Sequence, residues 1–90
     1  MVSAVDEQIG RVIAALEKRG MLEDTIIVFS SDNGPEVLAA FSAGIAGVLR
    51  GKKTQLWEGG VRVPFIVALP KTFPADKTSQ QVASALDFLP

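Results

Sequence analysis

Thr25-Ile26-Ile27-Val28-Phe29-Ser30-Ser31-Asp32-Asn33-Gly34-Pro35 is the stretch on which the fold turns. Thr25 to Phe29 is a β-branched and aromatic run bounded by Glu23-Asp24 and Ser30-Ser31. It lacks polar alternation, so it predicts a strand covered on both faces. The strand runs directly into an acid–amide pair, Asp32-Asn33, and then into Gly34-Pro35. In open α/β sheets, ligands bind just outside the carboxyl ends of strands. Asp32 and Asn33 therefore stand where chemistry is done. A carboxylate and a carboxamide both offer oxygen, which suits a hard cation such as calcium or magnesium. Read alone, Asp-Asn-Gly is also an ordinary turn.

Upstream, Ser3 to Arg19 predicts an amphipathic helix. Val5, Ile9, Val12, Ile13 and Leu16 form one apolar stripe at helical spacing. Ser3 is the expected N-cap, with Asp6 completing a capping box. Asp6 and Glu7 are expected in the first turn, Lys18 and Arg19 in the last, both suiting the helix dipole. Gly20 is the expected stop. Gly10 lies mid-helix, where close packing against a neighbour would explain it. Helix, short loop and buried strand together make the αβ half of a parallel α/β unit.

Downstream, Val37 to Val48 is rich in small residues and reads as irregular, with room for one helical turn. Leu49 to Gly60 is polar and glycine-flanked, which predicts a loop. Val61 to Leu69 predicts a strand, with Pro64 confining its regular part to Phe65 to Leu69. Pro70 to Thr78 is a surface loop. Val82 to Leu86 reads as a short strand or extended segment. Asp87 is the expected N-cap of a helix interrupted by the end of the sequence, which suggests truncation.

Composition narrows the chemistry. The 90 residues allow one small domain, and 48% hydrophobic content makes it globular. There is no cysteine and no histidine, so neither a disulfide nor a Ser-His or Cys-His nucleophile can be built from this chain. The net charge of −1 gives no ground for nucleic-acid binding. No apolar run approaches the roughly 20 residues of a membrane span. Met1 to Glu7 is acidic and unlike a signal peptide, and the compartment stays undetermined. Lys52, Lys53, Arg50 and Arg62 are candidate oxyanion contacts, and each also reads as an ordinary surface cation. Trp57-Glu58-Gly59-Gly60 suggests a tight turn with an aromatic beneath it, in which Glu58 is structural.

Three segments together resemble the sulfatase family, in its arylsulfatase A-like and B-like branch. They are Thr25 to Glu36, Leu49 to Pro64 (LRGKKTQLWEGGVRVP) and Ser84 to Pro90 (SALDFLP). The helix Val2 to Gly20 resembles the one preceding the family's metal-binding strand, so the likeness covers nearly the whole chain. Its most specific part is Leu-Arg-Gly followed by a lysine five residues before Glu-Gly-Gly-Val-Arg. The resemblance implies a partial, truncated alkaline-phosphatase-like α/β/α sandwich, with residues 1–90 as a single partial domain. It implies sulfuric ester hydrolysis, with an aryl or carbohydrate sulfate as substrate.

The resemblance also implies bound calcium, with Asp32 and Asn33 as half of its site. It makes Lys53 the residue that contacts the substrate sulfate. The family's formylglycine arises from a Cys/Ser-x-Pro-x-Arg motif, which this sequence lacks. That motif, the partner aspartates and the catalytic histidines are expected in upstream segments, in the missing N-terminal part of the domain. The 90 residues alone are thus expected to be inactive and prone to association. Two alternatives stand beside this reading. One is a related metal-dependent phosphatase or phosphonate hydrolase, which commonly carries Asp-His after the strand. The other is a non-catalytic remnant or binding module.

Overall fold

A stripe of apolar residues at helical spacing opens the chain, and in the computed structural model it forms helix α1, Val2–Lys18. The structure describes residues 2–38, 41–42 and 44–88. Because α1 begins at Val2, Ser3 lies inside the helix and does not cap it. The first turn holds no acidic residue, and Arg19 falls beyond the last turn, leaving Lys18 there. Gly20 ends the helix as expected. Its φ of +66° lets its N–H reach the Glu17 carbonyl at 2.9 Å, while the Met21 N–H reaches that of Leu16 at 2.9 Å. These two bonds make a Schellman stop, which satisfies carbonyls the helix end leaves open. Gly10 has nothing within 4 Å of where a Cβ would stand. Close packing therefore does not account for it.

A 3₁₀ turn at Leu22–Asp24 leads into strand β1, Ile27–Ser30. Two-residue strands β2, Val37–Leu38, and β3, Phe41–Ser42, pair antiparallel as a hairpin where irregular chain was expected. A single helical turn, α2, spans Glu58–Val61 within the expected loop. Strand β4 is Phe65–Ala68, starting just after Pro64 as its missing N–H requires. Val82 to Leu86 contains no strand. Instead, Ala85–Phe88 forms a 3₁₀ turn. Its cap is Ser84 rather than Asp87. The Ser84 Oγ accepts the Leu86 N–H at 3.2 Å, and the Asp87 carboxylate accepts the Ser84 N–H. That is a capping box with Asp87 at its third position. The expected helix continues onto residues 89 and 90, outside the described residues. Phe88 stacks on Phe65, ring centroids 5.4 Å apart.

The chain is thus mixed α/β, but its strand pairing differs from the expectation. β1 pairs antiparallel with β4, in the register Ile27↔Ala68, Val28↔Val67, Phe29↔Ile66 and Ser30↔Phe65. No parallel pair and no layered sandwich occur among the described residues. A parallel neighbour reached by a crossover is what a βαβ unit needs, and β4 is the strand available to β1. The double cover expected over β1 is also absent. Val28 is 42% exposed and Phe29 45% exposed. Among the described residues, one long helix, one helical turn and the three other short strands do not supply two covering layers.

Whole-chain measures agree. The accessible surface is 8067 Å², against about 5,000 Å² for a compact monomer of this mass. The radius of gyration is 15.7 Å, against about 12 Å for a compact domain of this length. Among the described residues only Gly34, Gly59 and Gly60 are buried. The densest point of the molecule is therefore a junction of glycine backbone, at the end of the β1–β4 ribbon.

Candidate functional site

Antiparallel pairing decides what meets at that end. Chain leaving β1 at Ser30 lies beside chain entering β4 at Phe65. The Asp32-Asn33-Gly34-Pro35 loop therefore meets the Glu58 to Pro64 segment. The Gly34 N–H donates to the Gly60 carbonyl at 2.8 Å. A Cβ on Gly34 would run into the Gly59 carbonyl, and one on Gly60 would run into that of Gln55. Only glycine permits backbones to approach this closely.

The lysine loop joins the same junction through its main chain. The Gly59 N–H donates to the Arg50 carbonyl at 2.7 Å. The Lys53 N–H donates to the Pro35 carbonyl at 3.0 Å. Residues 31–36 and 50–55 are thus two loops tied to each other and to the α2 segment, 57–62, by main-chain hydrogen bonds. Such ties fix backbone spacing whatever the exposed side chains do.

The side chains on this frame divide as follows. Asp32 is exposed, and its carboxylate makes no hydrogen bond or ion pair among the described residues. Asn33 is half-buried. Its Nδ2 donates to the Gly34 carbonyl at 3.1 Å. The Ser31 hydroxyl donates to the Asn33 carbonyl at 2.8 Å and braces the turn. Lys53 is exposed. An open cleft of about 870 Å³ lies alongside, with Asn33, Glu36 and Arg62 among its lining residues. Asp32 and Lys53 do not line it.

The other candidate cations have different surroundings. Arg62 pairs with Glu58 at 3.4 Å, both side chains more than 60% exposed. An exposed pair of this kind contributes about 0–1 kcal/mol. It spans α2 from its first residue to its C-cap, in keeping with a structural Glu58. Arg50 lies over the Trp57 ring, 3.9 Å from its centroid. The aromatic thus packs under an arginine, while the tight turn expected after it is the helical turn α2.

As a hard-cation site the donor set fits but is partial. Asp32 and Asn33 offer two oxygens, whereas calcium takes six to eight. Among the described residues no group of three or more acidic, His or Cys side chains could hold a metal by itself. What sequence reasoning did not foresee is the junction through Gly34 and Gly60. Its only signal was the Gly59-Gly60 doublet, legible as a turn but not as a partner of Gly34.

The family model described as Sulfatase matches residues 1–90. Human arylsulfatase A is 37% identical over 86 residues, covering 96% of this chain and 17% of that protein. Mouse steryl-sulfatase is 36% identical over 94 residues, covering 99% of this chain and 15% of that protein. The N-acetylglucosamine-6-O-sulfatase of Bacteroides thetaiotaomicron is 40% identical over 89 residues, covering 99% and 14% respectively. The chain spans about one sixth of the length of these relatives. No solved structure matches it. With a family model running its full length and relatives of this identity, the chain belongs to the sulfatase family.

Proposed function

We propose that this chain serves sulfuric ester hydrolysis by supplying part of a calcium site, Asp32 and Asn33, and a sulfate-contacting lysine, Lys53. The observation that carries the reading is the 3.0 Å hydrogen bond from the Lys53 N–H to the Pro35 carbonyl. It ties the lysine loop to the acid–amide loop through backbone, three residues from Asp32. The relatives named above are all sulfatases. Family membership thus supports a sulfate ester as the substrate class, and an aryl or carbohydrate sulfate is the substrate we propose.

Each residue has a distinct task in this scheme. Asp32 contributes a formal negative charge and Asn33 a neutral carbonyl oxygen to a hard cation. A bound calcium supplies positive charge that offsets the charge of a sulfate. The Lys53 ammonium donates hydrogen bonds to a sulfuryl oxygen as a compact point charge. Its side chain is exposed and makes no hydrogen bond or ion pair among the described residues. Fixing the lysine loop to the metal loop before substrate arrives is preorganisation. Preorganised charge stabilises a transition state without reorganisation at the moment of reaction.

The scheme requires a nucleophile and further metal ligands from outside these 90 residues. Aryl sulfate turnover by the purified chain is expected to be absent with or without calcium, and clear turnover would contradict this. Calorimetry is expected to give calcium affinity weaker than micromolar. Micromolar binding would mean that two ligands are not the whole local site. An NMR titration with calcium and then sulfate tests the assignment directly. Shifts are expected at residues 31–36 with calcium and at 52–54 with sulfate. Shifts confined to other regions would remove the reading.

A further inference from the structure

The lysine loop has a backbone that needs holding. Gly51 has φ +99° and Thr54 has φ +72°. Glycine adopts the left-handed region freely, but a β-branched threonine there is strained. Thr54 directly follows Lys53. The turn around it closes locally, the Gln55 N–H donating to the Lys52 carbonyl at 3.0 Å and the Lys52 N–H to the Gln55 Oε1 at 3.1 Å. If Thr54 relaxed to negative φ, that turn would open, and the Lys53 N–H would swing away from the Pro35 carbonyl.

Two side chains span the base of this loop. Arg50 precedes it and Trp57 follows it, and the Arg50 guanidinium carbon lies 3.9 Å from the Trp57 ring centroid. The Arg50 carbonyl is itself fixed by the Gly59 N–H at 2.7 Å. Trp57 is 51% exposed, so the contact is not a by-product of burial in a core. Arg50 makes no ion pair among the described residues. Nearby Glu58 pairs with Arg62.

We propose that the Arg50–Trp57 stack is a clasp that keeps the strained loop closed, and that Arg50 is a positioning residue for Lys53. The functional half of this rests on the reading of Lys53 as the sulfate contact. The structural half does not. A guanidinium over indole is attracted by the ring quadrupole and brings the loop's two ends together. The gain offsets the tendency of Thr54 to leave the left-handed region.

The test uses the full 90-residue chain in native, Arg50→Gln and Arg50→Lys forms, with Trp57, its sole tryptophan, as fluorescent probe. Amide hydrogen exchange is followed by NMR, and sulfate is titrated against Trp57 emission. Arg50→Gln is expected to speed exchange of the Lys53 N–H about two- to fivefold, the range for an exposed cation–π contact. The Gly20 and Met21 amides at the end of α1 should be unchanged. Arg50→Lys keeps a cation over the ring and should restore at least half of the protection. Sulfate response should require more sulfate in Arg50→Gln and vanish in Lys53→Gln.

Unchanged Lys53 exchange in Arg50→Gln overturns the clasp. So does a loss spread equally over α1 and the β1–β4 ribbon, because that is generic destabilisation. If Arg50→Gln does not fold, the pair Thr54→Gly and Thr54→Gly/Arg50→Gln replaces it. With the strain removed, Arg50→Gln should speed Lys53 exchange less than about twofold, and an effect as large as the two- to fivefold expected with threonine present overturns the proposal. A native chain without Lys53-dependent sulfate response sinks the reading of Lys53 and with it the positioning role. Exchange alone then decides the clasp.

Discussion

At the residue scale, the molecule is most demanding where it has no side chain. Gly34 faces the Gly59 carbonyl so closely that a Cβ cannot fit. Gly34→Ala must therefore push the Asp32-Asn33 loop away from α2. Overpacking of this kind costs about 1–3 kcal/mol. Here it acts on backbone, which cannot rotate aside. The expected result is faster amide exchange at residue 34 and at Lys53 with α1 unaffected. Protection equal to the native chain would mean that the junction yields without cost. Asp32, Asn33 and Lys53 were legible in the sequence as residue types suited to a cation and an oxyanion. Their backbone linkage was not, because a hydrogen bond from Lys53 to Pro35 has no signature in either residue.

At the element scale, periodicity gave α1 to within one residue at each end, while its caps were misread. Ser3-x-x-Asp6 has the composition of a capping box, yet Val2 is already helical. Ser84-x-x-Asp87 has the same spacing and does form the box. Composition at four residues does not say which turn of chain is already helical. The two glycines of this region should respond oppositely to alanine. Gly20→Ala forces a Cβ into the left-handed region at φ +66° and should cost about 1 kcal/mol. Gly10→Ala meets open space and should stabilise α1 by up to about 1 kcal/mol. Far-UV circular dichroism during thermal unfolding measures both, and a shift of the same sign in the two variants would contradict the account. Strand β4 was found by its β-branched run and bounded by Pro64. Its antiparallel partnership with β1 was not foreseen, since hydrophobic strands carry no label of direction.

At the scale of the whole molecule, apolar side chains are abundant and covered by little. The stripe on α1 is only partly shielded, with Val5 56% and Val12 60% exposed. Ile26, just before β1, and Ile66 in β4 are about as exposed, at 62% and 61%. A chain with about 3,000 Å² more surface than a compact monomer of its mass is expected to associate or to melt without a sharp transition. Sedimentation across a concentration series and calorimetric melting test this, and a monomer with a cooperative melt would contradict it. The sequence by itself determined α1, β1, β4 and the motif order, because periodicity, turn chemistry and short motifs are local properties. Only the tertiary structure decided that β1 and β4 run antiparallel and that two loops and the α2 segment lock through glycine backbone. Those are contacts between distant segments, set by which surfaces meet rather than by the residues of either one.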